Sequence, residues 1–262
     1  MKKSLPLILG GIVLILGVVI FLIAKKPTTK SPLVTDNTPL DLPLNTLPLA
    51  ERPFITLSPD ATGRSLDIAI SGAPKEGSME YEMIYNASGK QEGALGSIFL
   101  GSEKQPITKS ILLGSKSGGG KVTYHEGVTG GSITVTYGET RLKESWNYLH
   151  FDPSDPTIGS TDARFSVLFP KTALKKDTVI ITMKTFGYPA LEGKVISGPY
   201  GYFPQTPVKV PVSISLKLPA GEHLNPTIFE WNGSAWKKLT TKLAGDTVSS
   251  PSTGSVFLVT AE

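Results

Sequence analysis

The sequence predicts an all-β protein: two tandem β-sandwich domains behind an N-terminal transmembrane helix and a proline-rich stalk. Three observations predict it. Residues 5–24 are one uncharged apolar run. Residues 27–53 hold six prolines. From residue 54 onward, apolar side chains recur at alternate positions between glycine, proline and asparagine breaks.

The apolar run is LPLILGGIVLILGVVIFLIA, preceded by a short inner tail, residues 1–4. Twenty residues at about 1.5 Å each reach roughly 30 Å, the thickness of a hydrocarbon core. A cleaved signal peptide would have a shorter apolar region and a small-x-small site. Here the run ends Leu22-Ile23-Ala24-Lys25-Lys26, which favours a retained anchor. Lys2 and Lys3 flank one side and Lys25, Lys26 and Lys30 the other, so charge alone nearly balances the orientation. The spacer that follows points to a cytoplasmic N-terminus and extracellular C-terminal domains, in a single-pass membrane protein.

The prolines of the spacer are Pro27, Pro32, Pro39, Pro43, Pro48 and Pro53. Proline fixes φ and removes a ladder donor, so the segment reads as an extended stalk or linker. Its leucines Leu40, Leu42, Leu44, Leu47 and Leu49 are unusually apolar for a spacer, and some of them are expected to pack on the next domain.

Residues 54–151 alternate clearly. Leu66, Ile68 and Ile70 share a face, as do Met79, Tyr81, Met83 and Tyr85. Ile133, Val135 and Tyr137 repeat the pattern, and Trp146 and Tyr148 close it. About seven short strands in about 100 residues suggest an immunoglobulin- or fibronectin-type sandwich. Residues 152–162, DPSDPTIGSTD, read as a second linker, and 163–262 as the second sandwich. The clearest strand there is VKVPVSISLKL, with Val208 to Leu218 apolar at every other position. Pro211 cannot donate to a central ladder, so it belongs at an edge or bulge. IFEWNGSAWKKL reads as a hairpin turning at Asn232-Gly233.

Charge and motifs exclude several function classes. The 26 Lys and Arg include Lys2, Lys3, Lys25 and Lys26, and the other 22 match the 22 acids, all of which lie at or beyond Asp36. The folded part therefore has no basic excess for nucleic acid. Cysteine is absent, which rules out disulfides, thiolate metal sites, a cysteine nucleophile and a cysteine-linked lipid. The run LGSKSGGGKVTYH resembles a phosphate loop only superficially. Ser115 stands where the first glycine is needed and Val122 where a hydroxyl must hold Mg²⁺. A turn between two strands is the better reading. His125-Glu126 lacks a second histidine at zinc-motif spacing, and no Gly-x-Ser-x-Gly elbow exists.

Residues 165–183, FSVLFPKTALKKDTVIITM, with Pro170, Ala173 and Leu174, resemble the opening of the β-sandwich domain of ankyrins and netrin receptors. Pro199, Gly201, Phe203, Pro207 and Val208 resemble a later segment of that domain. Thr172 stands where that family usually has glycine. Residues 54–151 resemble stalked bacterial surface modules more loosely. Some relatives of the ankyrin-type domain cleave themselves at His-Phe-Ser. Here Ser255 follows Gly254 with no adjacent histidine, so that chemistry is not expected.

The remaining candidates have plainer alternatives. Asp152, Asp155 and Asp162 could give oxygens to calcium, although Asp-Pro pairs also simply start turns. Trp231 and Trp236 flank a hairpin and could stack on a sugar, although such rings more often cover a core. No cofactor and no catalytic residue is expected. The function expected is a non-catalytic cell-surface structural or adhesion protein. It would be held by the membrane through residues 5–24 and would face a cell-surface glycan or protein. The alternative is a carbohydrate-binding surface module using the tryptophans. A cell-wall hydrolase ranks below both.

Overall fold

The computed structural model describes residues 42–101 and 104–262, so the predicted anchor at 5–24 lies outside the described residues. Among the described residues no helix is long and apolar enough to cross a membrane. Leu42–Glu262 form one compact all-β unit. In chain order the strands are β1 (Phe54–Pro59), β2 (Ser65–Ser71), β3 (Ser78–Ala87), β4 (Lys90–Phe99), β5 (Ile107–Leu112), β6 (Gly114–Lys116), β7 (Val122–Tyr124), β8 (Val128–Tyr137) and β9 (Thr140–His150). There follow β10 (Thr157–Gly159), β11 (Phe165–Leu168), β12 (Val179–Lys184), β13 (Lys194–Pro204), β14 (Val212–Lys217) and β15 (Thr227–Trp231). The last four are β16 (Trp236–Lys238), β17 (Lys242–Ala244), β18 (Thr247–Ser252) and β19 (Val256–Ala261).

One nine-stranded sheet, β16-β15-β19-β13-β12-β9-β8-β3-β4, runs through both predicted sandwiches. The seam is β9 against β12, where Val179 pairs with His150 and Met183 with Trp146. A three-stranded sheet, β1-β2-β5, and a five-stranded sheet, β10-β11-β14-β18-β17, are the covering layers. Two cores result. The first gathers Ile55, Ile68, Met83, Val135 and Trp146 with Ile181 and Met183 of β12. The second gathers Phe165, Ile214, Tyr202 and Phe257 with Ile180 of β12. Neighbouring residues of a strand point to opposite faces. The two cores therefore lie on opposite faces of the shared sheet, and β12 is buried on both.

That position explains the sequence of β12. Val179-Ile180-Ile181-Thr182-Met183 is buried throughout, a continuous run and not an alternation. The one polar member, Thr182, donates its hydroxyl to the Gly159 carbonyl at 2.7 Å. By contrast β2 and β14 face solvent on one side and alternate cleanly.

Two expected linkers are partly structured. Within 152–162, β10 pairs with β11 and buries Ile158. Three residues with one apolar side chain, set among Asp-Pro pairs, carry too little pattern to signal a strand. At the end of the expected stalk, Leu47 packs on the first core. Leu44 bridges to Arg141 of β9, and Leu49–Glu51 form one 3-10 turn. The glycine run proves to be a hairpin loop between β6 and β7, with Gly120 at φ +84°. The VKVPVSISLKL strand begins only at Val212, because Pro211 stops the ladder before a central strand.

Candidate functional site

The tryptophan hairpin lies at one edge of the nine-stranded sheet. Trp231 of β15 pairs directly with Trp236 of β16. Four residues, Asn232 to Ala235, close the loop. The Asn232 side-chain oxygen accepts from the Ser234 and Ala235 amides at 2.9 and 2.8 Å, which fixes the turn.

The two indoles are half-buried, with centroids 5.4 Å apart and planes tilted by 57°. Phe54 meets Trp231 edge-on at 6.5 Å, and Tyr188 meets Trp236 edge-on at 6.5 Å. The Trp236 indole N–H donates to the Pro189 carbonyl at 2.8 Å. The rings thus pack on one another and on chain from two other segments. They do not form two coplanar faces for a sugar chain.

Beside Trp231 opens a groove of about 500 Å³, walled by Phe54, Phe203 and Trp231. Glu230 also lines it, yet is only 3% exposed. Its carboxylate accepts from Lys237 Nζ at 3.1 Å, from the Gly254 amide at 3.3 Å and from the Ser252 hydroxyl. Burial pushes the Glu230 carboxyl up, but the Ser252 and Lys237 hydrogen bonds outweigh it, so its pKa lies below the usual value. It is an ionised acceptor at neutral pH. Glycoside hydrolysis on the usual plan needs two carboxyl groups across the bond, and this groove carries one. An aromatic wall beside polar Thr56, Thr253 and Ser255 has the chemistry to hold a sugar ring or an apolar side chain.

The three aspartates do not converge. Asp152 accepts from the Ser154 amide and hydroxyl, both at 2.8 Å, and its carbonyl accepts from the Asp155 amide at 3.1 Å. These two residues build one turn. Asp162 accepts from Ser160 and Tyr200 hydroxyls, each at 2.6 Å, and from the Arg164 amide at 3.1 Å. It pins the β10–β11 turn to β13. Among the described residues no group of three or more His, Cys, Asp or Glu could hold a metal ion. Asp152 Oδ1 and both Asp162 carboxylate oxygens are engaged by local donors.

The histidines serve the scaffold too. His125 follows β7, and its Nδ1 lies 3.0 Å from the Tyr85 hydroxyl and its Nε2 lies 3.9 Å from Glu92. Tyr85 is 1% exposed, and burial, with Glu92 nearby, raises its pKa. The phenol is thus a neutral hydrogen-bonding group joining β3 to the loop after β7. Sequence order separates these partners by 40 residues and gave no signal for their meeting.

The strand β4, KQEGALGSIF, carries no visible signal in the sequence, because its glycines and small residues hide the alternation. No protein-family model matches this chain, and no curated protein is similar to it.

Proposed function

We propose that this protein is a non-catalytic surface body on a tether, structural or adhesive in role. On this reading residues 5–24 anchor it as a single-pass protein with its N-terminus in the cytoplasm, and the β-structure stands outside. The likeness of 163–262 to the sandwich of ankyrins and netrin receptors, and of 54–151 to surface modules, belongs to the same proposal.

The observation that carries it is how the stalk ends. Asn45 lies against β9, the strand joining the two halves. Its amide donates to the Arg141 carbonyl at 2.9 Å, and its side chain donates to the Lys143 carbonyl at 2.9 Å while accepting from the Lys143 amide at 3.0 Å. Arg52 then ties the segment to itself, donating to the Leu47 and Asn45 carbonyls at 2.7 and 2.8 Å. Its Nη1 lies 3.7 Å from Glu144 of β9. A tether joined in this way passes a pull into the middle of the largest sheet, where several ladders share it. This suits a protein that presents a surface at a distance from its membrane.

The test uses the full chain with a C-terminal epitope. The expected result is resistance to carbonate extraction, loss of the epitope when protease is added to intact cells, and weaker surface attachment of cells lacking the protein. A soluble or protease-protected protein would overturn the reading. The groove beside Trp231 favours the carbohydrate-binding alternative. Trp231→Ala abolishing retention on an insoluble polysaccharide, with the fold intact, would establish it.

A further inference from the structure

The described asparagines differ in what holds their side chains. Asn45 and Asn147 donate their side-chain amides to the Lys143 and Gly159 carbonyls, at 2.9 and 3.0 Å. Asn225 donates to the Glu262 carboxylate at 3.0 Å and precedes Pro226, which has no amide hydrogen. Asn86 lies inside β3, where pairing with Gln91 and Gly130 keeps its backbone extended. Asn232 is held the other way round. Its Oδ1 accepts three hydrogen bonds, from the Ser234 amide at 2.9 Å, the Ser234 hydroxyl at 3.0 Å and the Ala235 amide at 2.8 Å. Among the described residues no group accepts from its Nδ2.

The residue that follows completes a reactive pair. Gly233 is exposed, with φ +98°. A Cβ there would meet nothing within 4 Å, so the backbone stands in open space. Among the described residues no acceptor takes up its amide hydrogen. The other described asparagines are followed by Thr46, Ala87, Tyr148 and Pro226, each with a side chain to hinder an approach along the backbone.

We propose that Asn232 is a self-modification site, converted in the folded protein to aspartate and isoaspartate. The Gly233 nitrogen, its proton taken by solvent hydroxide, attacks Asn232 Cγ and closes a five-membered ring. Charge develops on Oδ1 as that bond forms, where three donors already point. The Cγ–Nδ2 bond then breaks, and Nδ2 takes a proton from water and leaves as ammonia. A second water adds to either carbonyl of the ring and opens it. Opening at the former side-chain carbonyl gives aspartate, and opening at the main-chain carbonyl gives isoaspartate. The net reaction consumes water and releases ammonia, with no oxidation or reduction.

Both products place a carboxylate at the rim of the groove beside Trp231, whose lining includes Asn232 and Gly233. Isoaspartate also adds a methylene to the main chain between the paired Trp231 and Trp236. The loop that seats the two indoles therefore changes in charge and in length as the molecule ages.

The test incubates the full chain at neutral pH in heavy-oxygen water and maps its peptides by mass. The expected result is a labelled oxygen at residue 232, in a mixture of aspartate and isoaspartate, with residues 45 and 147 unchanged. Ser234→Ala removes one donor to Oδ1 and should slow the conversion several-fold, whereas Ser234→Thr keeps the hydroxyl and the parent rate. Residue 234 is exposed, so the indole emission of both variants should match the parent before incubation. An amide retained at residue 232 in the folded chain would overturn the proposal, and conversion of the urea-unfolded chain would then show that the fold protects it. Conversion of Ser234→Ala at the parent rate would overturn it equally.

Discussion

The two halves of the body use different materials. The first core is largely aliphatic, with Tyr85, Trp146 and Phe186 as its buried rings, the first two 6.5 Å apart. The second is a lattice of rings. Phe165 stacks on Tyr200 at 5.6 Å, Tyr202 stacks on Phe257 at 6.2 Å, and Phe169 meets Tyr202 edge-on at 5.5 Å. The second half also holds two hydrogen-bonded carboxylates, exposed Asp162 and buried Glu230, each accepting from donors in neighbouring segments. Rings with fixed geometry and cross-strand carboxylates favour one closed arrangement. The first half has fewer such constraints. The contrast separates a half locked by ring geometry from a half packed chiefly with aliphatic side chains.

The largest expected effect lies in the ring lattice. Ile214→Asp puts a carboxylate at a fully buried position of β14, whereas Ser213→Asp puts one on the exposed face of the same strand. Burying an unpaired charge costs several kcal/mol, against a total stability of about 5–15 kcal/mol. Urea unfolding should show Ile214→Asp unfolded or nearly so and Ser213→Asp close to wild type. Equal losses would break the assignment of faces.

Tyr200→Phe should cost less, about 1–3 kcal/mol, by removing one donor to an ionised acceptor. Asp162 keeps Ser160 and Arg164, so the half should stay folded. An unchanged denaturation midpoint would mean that the carboxylate does not help to lock the second half.

A further effect is a pH slope at the stalk contact. Burial pushes Glu144 up to about 7 from a usual 4.5, against the opposing charges of Lys184 and Arg52. Between these two values the unfolded chain has lost its proton and the folded chain keeps it. Glu144 therefore lowers stability as pH rises from 4.5 to about 7. Asp162 and Glu230 act in the opposite sense. Their pKa values are held below the usual 3.8 and 4.5, so the stability they give is lost as pH falls below that range. Glu144→Gln should remove the decline between pH 4.5 and 7 in a series of thermal midpoints. An identical decline in the variant would assign it elsewhere.

The all-β class was legible because most strands face solvent on one side, and their alternation survives in the sequence. Leu66, Ile68 and Ile70, and Val212, Ile214 and Leu216, are all buried as their spacing predicts. What stayed hidden has three physical causes. β12 is covered on both faces, so its apolar run has no period to reveal that it joins two cores. β4 and β10 contain too few large apolar residues to register as strands. The partners of Glu230, Asp162 and His125 come together only through sheet order, which spacing along the chain does not encode. The tryptophan hairpin was visible, but the packing of its rings against Phe54 and Tyr188 required the tertiary structure.

The continuous sheet is tested most directly on β12, where Ile180 faces the second core and Ile181 the first. Each truncation to alanine should cost about 2–5 kcal/mol. Unfolding of residues 42–262 can be followed separately through Trp146 in the first core and the Trp231–Trp236 pair at the far edge, by replacing the other indoles with phenylalanine. If β9 and β12 bind the halves into one cooperative body, both probes report the same midpoint, and Ile180→Ala and Ile181→Ala each lower both together. Two separated transitions, with each variant moving only the half whose core it faces, would contradict a shared sheet as the element that unites the molecule.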